Sequence, residues 1–236
     1  MMRRPMPDTE FLTQAVAGRW DIYGPIHKGL RLAHGDMAAR LGRADFTRDQ
    51  NELLADLAAH LALGAKHLAH EETHIHAALE ARSPGATIDL DAQHDHHRAR
   101  FDSLAIAICA VQRAAPADQP MLGRVLYLAF SGFVAEDLEH MRQEETIIWP
   151  KLCALFTDQE LAGIEMAIIG SLAPDEVIAF MRLMLPAMNP AERTGLLSGM
   201  KADAPAEAYA AVIELAARPT LPANDFAELE RQGLVA

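Results

Sequence analysis

The chain has 236 residues, with 33 acidic against 21 basic side chains and a formal net charge of −12 at pH 7. Half of its residues are hydrophobic, enough material for one large domain or two small ones. Nucleic-acid-binding surfaces concentrate Lys and Arg, so this balance argues against a nucleic-acid partner. No uncharged apolar stretch approaches the roughly 20 residues that cross a bilayer. We expect a soluble, cytoplasmic protein with no membrane span, signal peptide or anchor.

The histidines are distributed unevenly along the chain. All 11 lie at or before residue 140. An imidazole is expensive to bury without a partner and has little to do in a plain helical core. We therefore expect the chemistry of this protein to reside in the N-terminal two thirds of the chain.

Few stretches alternate apolar and polar residues, so we predict an all-α protein. Its expected long helices run from about Thr9 or Arg19 to Gly42, from about Thr47 to Arg82, from about Asp89 to Pro116, and from near Asp118 to Pro150. Pro150 should end or kink the fourth helix, since proline supplies no backbone donor. Four long helices with short turns predict an up-down four-helix bundle, assigned to residues 1–155.

The remaining residues, 156–236, are predicted to form a set of short helices. Thr157 and Asn189 each precede a glutamate by three residues, a pattern typical of capped helix starts. We expect three or four such helices, which are mainly structural. A protein partner or a second copy of the chain, if there is one, would dock on them.

Two segments of the chain match each other, and they carry the candidate chemistry. Residues 67–73 and 140–146 both read H-x-x-x-E-E-T. Residues four apart lie on the same face of a helix, so each copy directs one imidazole and one carboxylate the same way. The pairs His67–Glu71 and His140–Glu144 are therefore each half of a candidate metal site.

The helices that precede these segments match as well. When His27 is aligned with His94, inward-facing positions coincide 3, 7, 10 and 14 residues later. The repeated unit is thus a helical hairpin. Two hairpins packed about a pseudo-twofold axis would bring together four imidazoles and two carboxylates, about what two metal ions need: His27, His67, Glu71, His94, His140 and Glu144.

The types of ligand indicate the metal and its use. Imidazole and carboxylate donors together suit divalent iron, manganese or zinc. A carboxylate has two oxygens, so Glu71 and Glu144 can each bridge two ions. Six protein ligands leave coordination positions open, and a small molecule such as dioxygen could bind there.

On these residues the chain resembles the hemerythrin-like proteins, whose HHE cation-binding domain has a His on helix one, His-x-x-x-Glu on helix two, and the same again on helices three and four. The resemblance covers about residues 19–155. It implies a four-helix bundle around an oxo- or hydroxo-bridged pair of iron ions, with zinc or manganese as alternatives. The implied function is binding or sensing of dioxygen, nitric oxide or iron, or iron–sulfur repair, and favours a non-enzymatic role.

The resemblance adds His97 to the candidate ligands, because helix three supplies two histidines in members with a hemerythrin-type site. The fourth-helix carboxylate of those members lies five residues after its histidine, which here favours Glu145 over Glu144. The His-x-x-x-Glu spacing is more similar to the iron-sensing and repair branches of the family. His70 and His74 also stay open as ligands.

Two other motifs compete with this interpretation. Residues 70–74 read H-E-x-x-H, the motif of zinc hydrolases, but the second copy of the repeat has no histidine at either corresponding position. Glu71-x-x-His74 and Asp137-x-x-His140 imitate the pairs of ferritin-like di-iron oxidases or iron-handling proteins. That design needs a glutamate where this chain has His27 and His94. A pure interaction protein without metal is the third alternative.

Overall fold

The computed structural model describes residues 17–235, and every element of secondary structure within that range is helical. Residues 1–16 and 236 lie outside the described part, and with them the expectation for the N-terminus and Thr9, one of the two expected starts of the first helix. The all-α prediction is confirmed for the part that is described. None of its helices combines the length and apolarity needed to cross a membrane.

The helices include three π-helical segments, in which the backbone hydrogen bonds span five residues rather than four. In chain order the elements are α1 (Gly24–Arg43), α2 (Asn51–His70), π1 (Glu71–His76), α3 (Ala77–Arg82), α4 (Ile88–Arg113), α5 (Gln119–Gln143), π2 (Glu144–Ile148), α6 (Trp149–Leu155), α7 (Asp158–Ser171), α8 (Pro174–Met184), α9 (Pro190–Asp203), α10 (Ala206–Val212), π3 (Ile213–Ala217), α11 (Arg218–Thr220) and α12 (Ala223–Arg231). The stretches α2–π1–α3, α5–π2–α6 and α10–π3–α11 are each continuous helices.

The first helix begins at Gly24, five residues after the expected start at Arg19. The Arg19 guanidinium donates to the carbonyls of Cys153 and Phe156 at 2.7 and 2.8 Å, and to the Asp158 carboxylate at 2.6 Å. These contacts hold the segment before α1 against the end of α6 in a non-helical conformation. The second helix ends at Arg82 as predicted, with Gly85 at a φ of 81° in the turn that follows.

Pro150 does not end the fourth helix, which was one of the two outcomes expected. The chain continues helically from α5 through π2 into α6, and Pro150 lies in the first turn of α6. The backbone N–H of Trp149 reaches back five residues to the carbonyl of Glu144. The wider π turn accommodates a residue without a backbone donor, so the helix continues past the proline.

The described residues form two compact units. The first comprises the residues up to Tyr23 together with His34–Ile168. Its two apolar clusters lie toward opposite ends: one is built around Leu57, Leu126 and Phe130, and the other around Leu79 and Leu152. Within this unit α4 packs against both α2 and α5. The segments π1 and π2, which each begin with two glutamates, lie at the ends of α2 and α5.

The second unit comprises Gly24–Ala33 and the residues from Ile169 onward. Its core includes Leu185, Leu197 and Ala216. The buried Arg193 guanidinium donates to two backbone carbonyls and to Asp225, which satisfies its charge. Five helical stretches follow residue 155 in the described range, more than the three or four expected.

Close packing in the first unit makes a glycine necessary on α5. A Cβ placed at Gly123 would overlap the ring of Phe46, which is buried in the core. We expect Gly123→Ala to lower the free energy of unfolding by about 1–3 kcal/mol, because overpacking outweighs the gain in helix propensity. Urea unfolding followed by circular dichroism measures this change.

Gly163→Ala is the matched control, because a Cβ at this position on α7 meets no atom within 4 Å. The control should be neutral or stabilising by up to about 1 kcal/mol, as helix propensity predicts. Equal stabilisation by both substitutions would contradict the packing described for Gly123.

Candidate metal centre

Four side chains of the duplicated pattern converge inside the first unit. Glu71 begins π1, His94 lies on α4, His140 lies near the end of α5, and Glu144 begins π2. Each is at most 3% exposed. One potential ligand atom from each side chain lies within 4.8 Å of the corresponding atoms of the other three. The structure thus brings together two imidazoles and two carboxylates from both halves of the repeat.

The distances between these atoms are those of neighbouring ligands. His94 Nε2 lies 3.0 Å from His140 Nε2, 3.7 Å from Glu71 Oε2 and 4.0 Å from Glu144 Oε1. His140 Nε2 lies 3.5 Å from Glu144 Oε2. Metal–nitrogen and metal–oxygen bonds are about 2.0–2.2 Å long, so atoms bound to one ion lie roughly 3–4 Å apart. The donor set therefore fits a divalent cation in chemistry and in spacing.

The outer nitrogens of the two histidines fix which ring atom carries the proton. His94 Nδ1 donates to Glu72 Oε1 at 3.0 Å, since a carboxylate can only accept. His140 Nδ1 donates to the amide oxygen of Gln93 at 2.8 Å. When both rings are neutral with the proton on Nδ1, their two Nε2 lone pairs face each other across 3.0 Å. A cation between them would turn this repulsive contact into coordination, and the carboxylate and amide outside would orient the rings.

The protonation of His94 agrees with this arrangement. Burial, and after it the neighbouring His140, lower the pKa of His94 to about 4, against the opposing charge of Glu144. The ring is therefore neutral at pH 7. Metal ions bind neutral imidazole, so His94 is held in the form that coordinates.

The two glutamates occupy equivalent backbone positions. The N–H of Glu71 is shared between the carbonyls of His67 and Leu68, and the N–H of Glu144 is shared between those of His140 and Met141. In both copies the helix changes from α to π at the glutamate itself. The repeat seen in the sequence is thus also a repeat in local structure.

His67 and His27 are the remaining members of the six-ligand set. His67 is 8% exposed, and its Nε2 lies 3.2 Å from Glu71 Oε1. His27 is fully buried on α1, in the stretch Gly24–Ala33 that belongs to the second unit. The structure therefore places His67 beside Glu71 within the first unit and buries His27.

His97 faces a second polar network in the first unit. His97 is 2% exposed, and its Nδ1 lies 3.8 Å from Asp137 Oδ1. The other oxygen of Asp137 accepts from His34 Nε2 at 2.7 Å, and His34 Nδ1 lies 2.8 Å from His60 Nε2. The His97 ring also contacts that of His140 at 4.9 Å between centroids. His97 lies next to the converging set and is not part of it.

The competing motifs do not converge in the described part of the chain. His70 and His74 are partly exposed and stack on each other at 6.4 Å, and neither joins the converging ligand atoms. The zinc-hydrolase motif would need His70 and His74 as ligands, and the ferritin-like motif would need Glu71 and His74. Neither histidine lies with the converging ligand atoms at Glu71. Glu144 rather than Glu145 is in the converging set.

Tyr23 interacts electrostatically with both glutamates of the site. Its side chain is fully buried. Burial raises the pKa of the Tyr23 phenol well above its usual range, and the charges of Glu144 and Glu71 raise it further. A neutral phenol therefore lies in the field of both carboxylates.

The residues that sequence reasoning missed are the groups that orient the ligands. Glu72 accepts from Arg98 and also from His94. Gln93 carried no signal except that it precedes His94. Asp137 lies one helical turn before His140, a spacing that could have identified it as a supporting carboxylate.

The Asp137 network generates a prediction about pH. Burial raises the pKa of the Asp137 carboxyl, but the hydrogen bond from His34 and the nearby histidine charges lower it more, to about 2. Because the folded pKa is depressed, this carboxylate contributes stability above about pH 4, and the contribution is lost as the pH falls toward 2. We expect Asp137→Asn to cost about 2 kcal/mol at pH 7 in metal-free protein.

Urea unfolding between pH 2 and 7 measures the effect, with Asp102→Asn as the control for an exposed carboxylate on α4. The difference between wild type and Asp137→Asn should shrink below about pH 4. A difference that is absent at pH 7, or that grows in acid, would contradict the assignment.

Comparison of the chain with protein-family models, with curated proteins and with solved structures gave no match. The resemblance to hemerythrin-like proteins therefore rests on the residues of this chain and their geometry.

Proposed function

We propose that this protein is a hemerythrin-like di-iron protein that binds or senses dioxygen, nitric oxide or iron. The observation that carries the proposal is the facing pair of Nε2 atoms of His94 and His140, with two buried carboxylates beside them. Buried carboxylates and bare imidazole nitrogens are costly in an apolar core unless a cation compensates them. This arrangement of four side chains is the strongest single indication of a metal site in the proposal.

The duplication suggests how the ligands divide between two ions. We assign His94, His140 and Glu144 to one ion, and His67, Glu71 and His27 to the other. His27 enters this set because it aligns with His94 in the repeat and is fully buried. Each carboxylate has a second oxygen with which it can bridge the ions. His97 stands as a further ligand candidate beside the first ion.

The surroundings of the site favour reversible binding of a small ligand. Apolar side chains such as Ile75 and Ile148 lie buried next to the glutamates in sequence, and Tyr23 is fully buried. Buried apolar neighbours of this kind would limit the access of water to the proposed site. When bound, iron supplies open coordination positions that accept a diatomic molecule, whereas zinc, the alternative, would not respond to one.

The fold proposed for this function is an up-down bundle of α1, α2–π1–α3, α4 and α5–π2–α6. The support is that one apolar cluster collects buried residues from all four of these helices, among them Met37, Leu57, Leu104 and Leu126. Such bundles place metal sites on facing helices.

The first prediction from this proposal concerns metal content. We expect the wild-type chain to bind about two iron ions, and Glu71→Gln and Glu144→Gln each to lose most of them, because the amide keeps the shape but removes the charge. Anaerobic titration with Fe²⁺ followed by elemental analysis measures the stoichiometry. Glu145→Gln is the matched control and should keep full metal content.

Full occupancy in both Glu71→Gln and Glu144→Gln would refute the bridging assignment. Loss of metal in Glu145→Gln with retention in Glu144→Gln would move the fourth-helix ligand by one residue. One bound zinc with no response to iron would favour a zinc site instead.

The second prediction concerns the bound molecule. Reduced, iron-loaded protein should change its visible absorption on addition of dioxygen or nitric oxide, and purging with inert gas should restore much of the original spectrum. Iron-free protein is the control. Continuous consumption of dioxygen over many turnovers would instead indicate an oxidase of the ferritin-like kind.

A further inference from the structure

A second feature of the first unit lies on the surface next to the metal centre. It is an open cleft of about 420 Å³ between π1 and the N-terminal half of α4. Most of the residues that line it are ionisable: Glu72, His76, Glu80, Asp91, Asp95 and Arg98. Four carboxylates against one guanidinium leave the cleft strongly negative at neutral pH. Such a cleft concentrates cations by focusing the electric field.

Two of the lining residues contact the proposed ligand His94 directly. Glu72 Oε1 accepts from His94 Nδ1 at 3.0 Å. The His76 ring stacks on the His94 ring, with 4.8 Å between centroids and 29° between planes. His94 in turn reaches His140 with its Nε2. One layer of side chains therefore separates the cleft from the metal centre.

Among the residues that line the cleft, His76 gives the clearest indication that a ligand binds there. The residue is 3% exposed, and its Nδ1 donates to Asp91 Oδ1 at 3.0 Å. A carboxylate can only accept, so in the neutral ring the proton is on Nδ1 and Nε2 carries a lone pair. That Nε2 is buried and has no hydrogen-bond partner among the described residues. A buried, unpaired imidazole nitrogen on the wall of an acidic cleft is a ready metal ligand.

Arg98 occupies the place where a cation would first bind. Its guanidinium donates to Glu72 Oε1 and to Asp95 Oδ1, both at 2.6 Å. The Arg98 side chain is 46% exposed. It can therefore swing into solvent and release both carboxylates to an incoming ion at little cost.

We propose that this cleft is the entry site for the metal: a divalent cation binds between the carboxylates, displaces Arg98, and passes by way of Glu72 and His76 to the ligands around His94. The inference rests on the proposed function, since it supplies the ions of that same centre. It adds a second, transient cation site to the protein.

The test compares rates of metal uptake with the amount bound at equilibrium. Metal-free protein is mixed with Co²⁺ at low ionic strength, and the second-order rate constant is read from the cobalt absorption. Asp91→Asn/Asp95→Asn should load roughly tenfold more slowly than wild type, because it removes two charges that attract the ion. Arg98→Gln should load several-fold faster. Both variants should reach the wild-type number of ions.

Asp89→Asn/Asp102→Asn is the matched control, because it removes the same charge from exposed positions of α4 outside the cleft. It should load at nearly the wild-type rate. The difference between the two double variants should shrink at about 0.5 M salt, where the charges are screened.

Equal slowing in both double variants would overturn the entry site, since it would reduce the effect to overall net charge. An unchanged or slower rate in Arg98→Gln would overturn the displacement step and the proposal with it. A wild-type chain that binds no metal at equilibrium would overturn the proposed function as well. Normal equilibrium binding combined with unchanged rates would overturn the entry site alone.

Discussion

Two imidazole nitrogens that face each other across 3.0 Å, beside two buried carboxylates, place a strong constraint on this helical protein. Each group has lost its hydration, and the outward hydrogen bonds of His94 and His140 turn both lone pairs inward. A divalent cation would coordinate all four groups together, which is why we propose a metal centre here. The neutral state of His94 follows from the same burial.

The π segments place the backbone of both glutamates at equivalent positions in the two halves of the site. Both glutamates begin such a segment, and the wider turn shifts the register of every side chain that follows. In π2 and π3 a proline is the second residue after the segment and accounts for the missing backbone bond. π1 has no proline behind it, so its irregularity has no local cause in the sequence. π-helical turns are frequent at functional sites, which fits the position of π1 at Glu71.

The sequence was sufficient to predict the all-helical class, the end of the second helix at Arg82, and the convergence of Glu71, His94, His140 and Glu144, because helical spacing translates directly into a shared face. The π turn at Glu71 was not predictable, since no proline follows it and helical spacing does not indicate such a turn. The network of His34, His60 and Asp137 depends on which helices are neighbours, and a periodic pattern does not state that. Likewise, no pattern indicated that Gly24–Ala33 group with the C-terminal helices.

Anomalous diffraction at the iron edge, from crystals of the iron-loaded chain, tests the central claim most directly. The account predicts two peaks enclosed by Glu71 and Glu144, one of them adjacent to the Nε2 atoms of His94 and His140. A single peak beside His70 and His74, or no peak between the two glutamates, would contradict it.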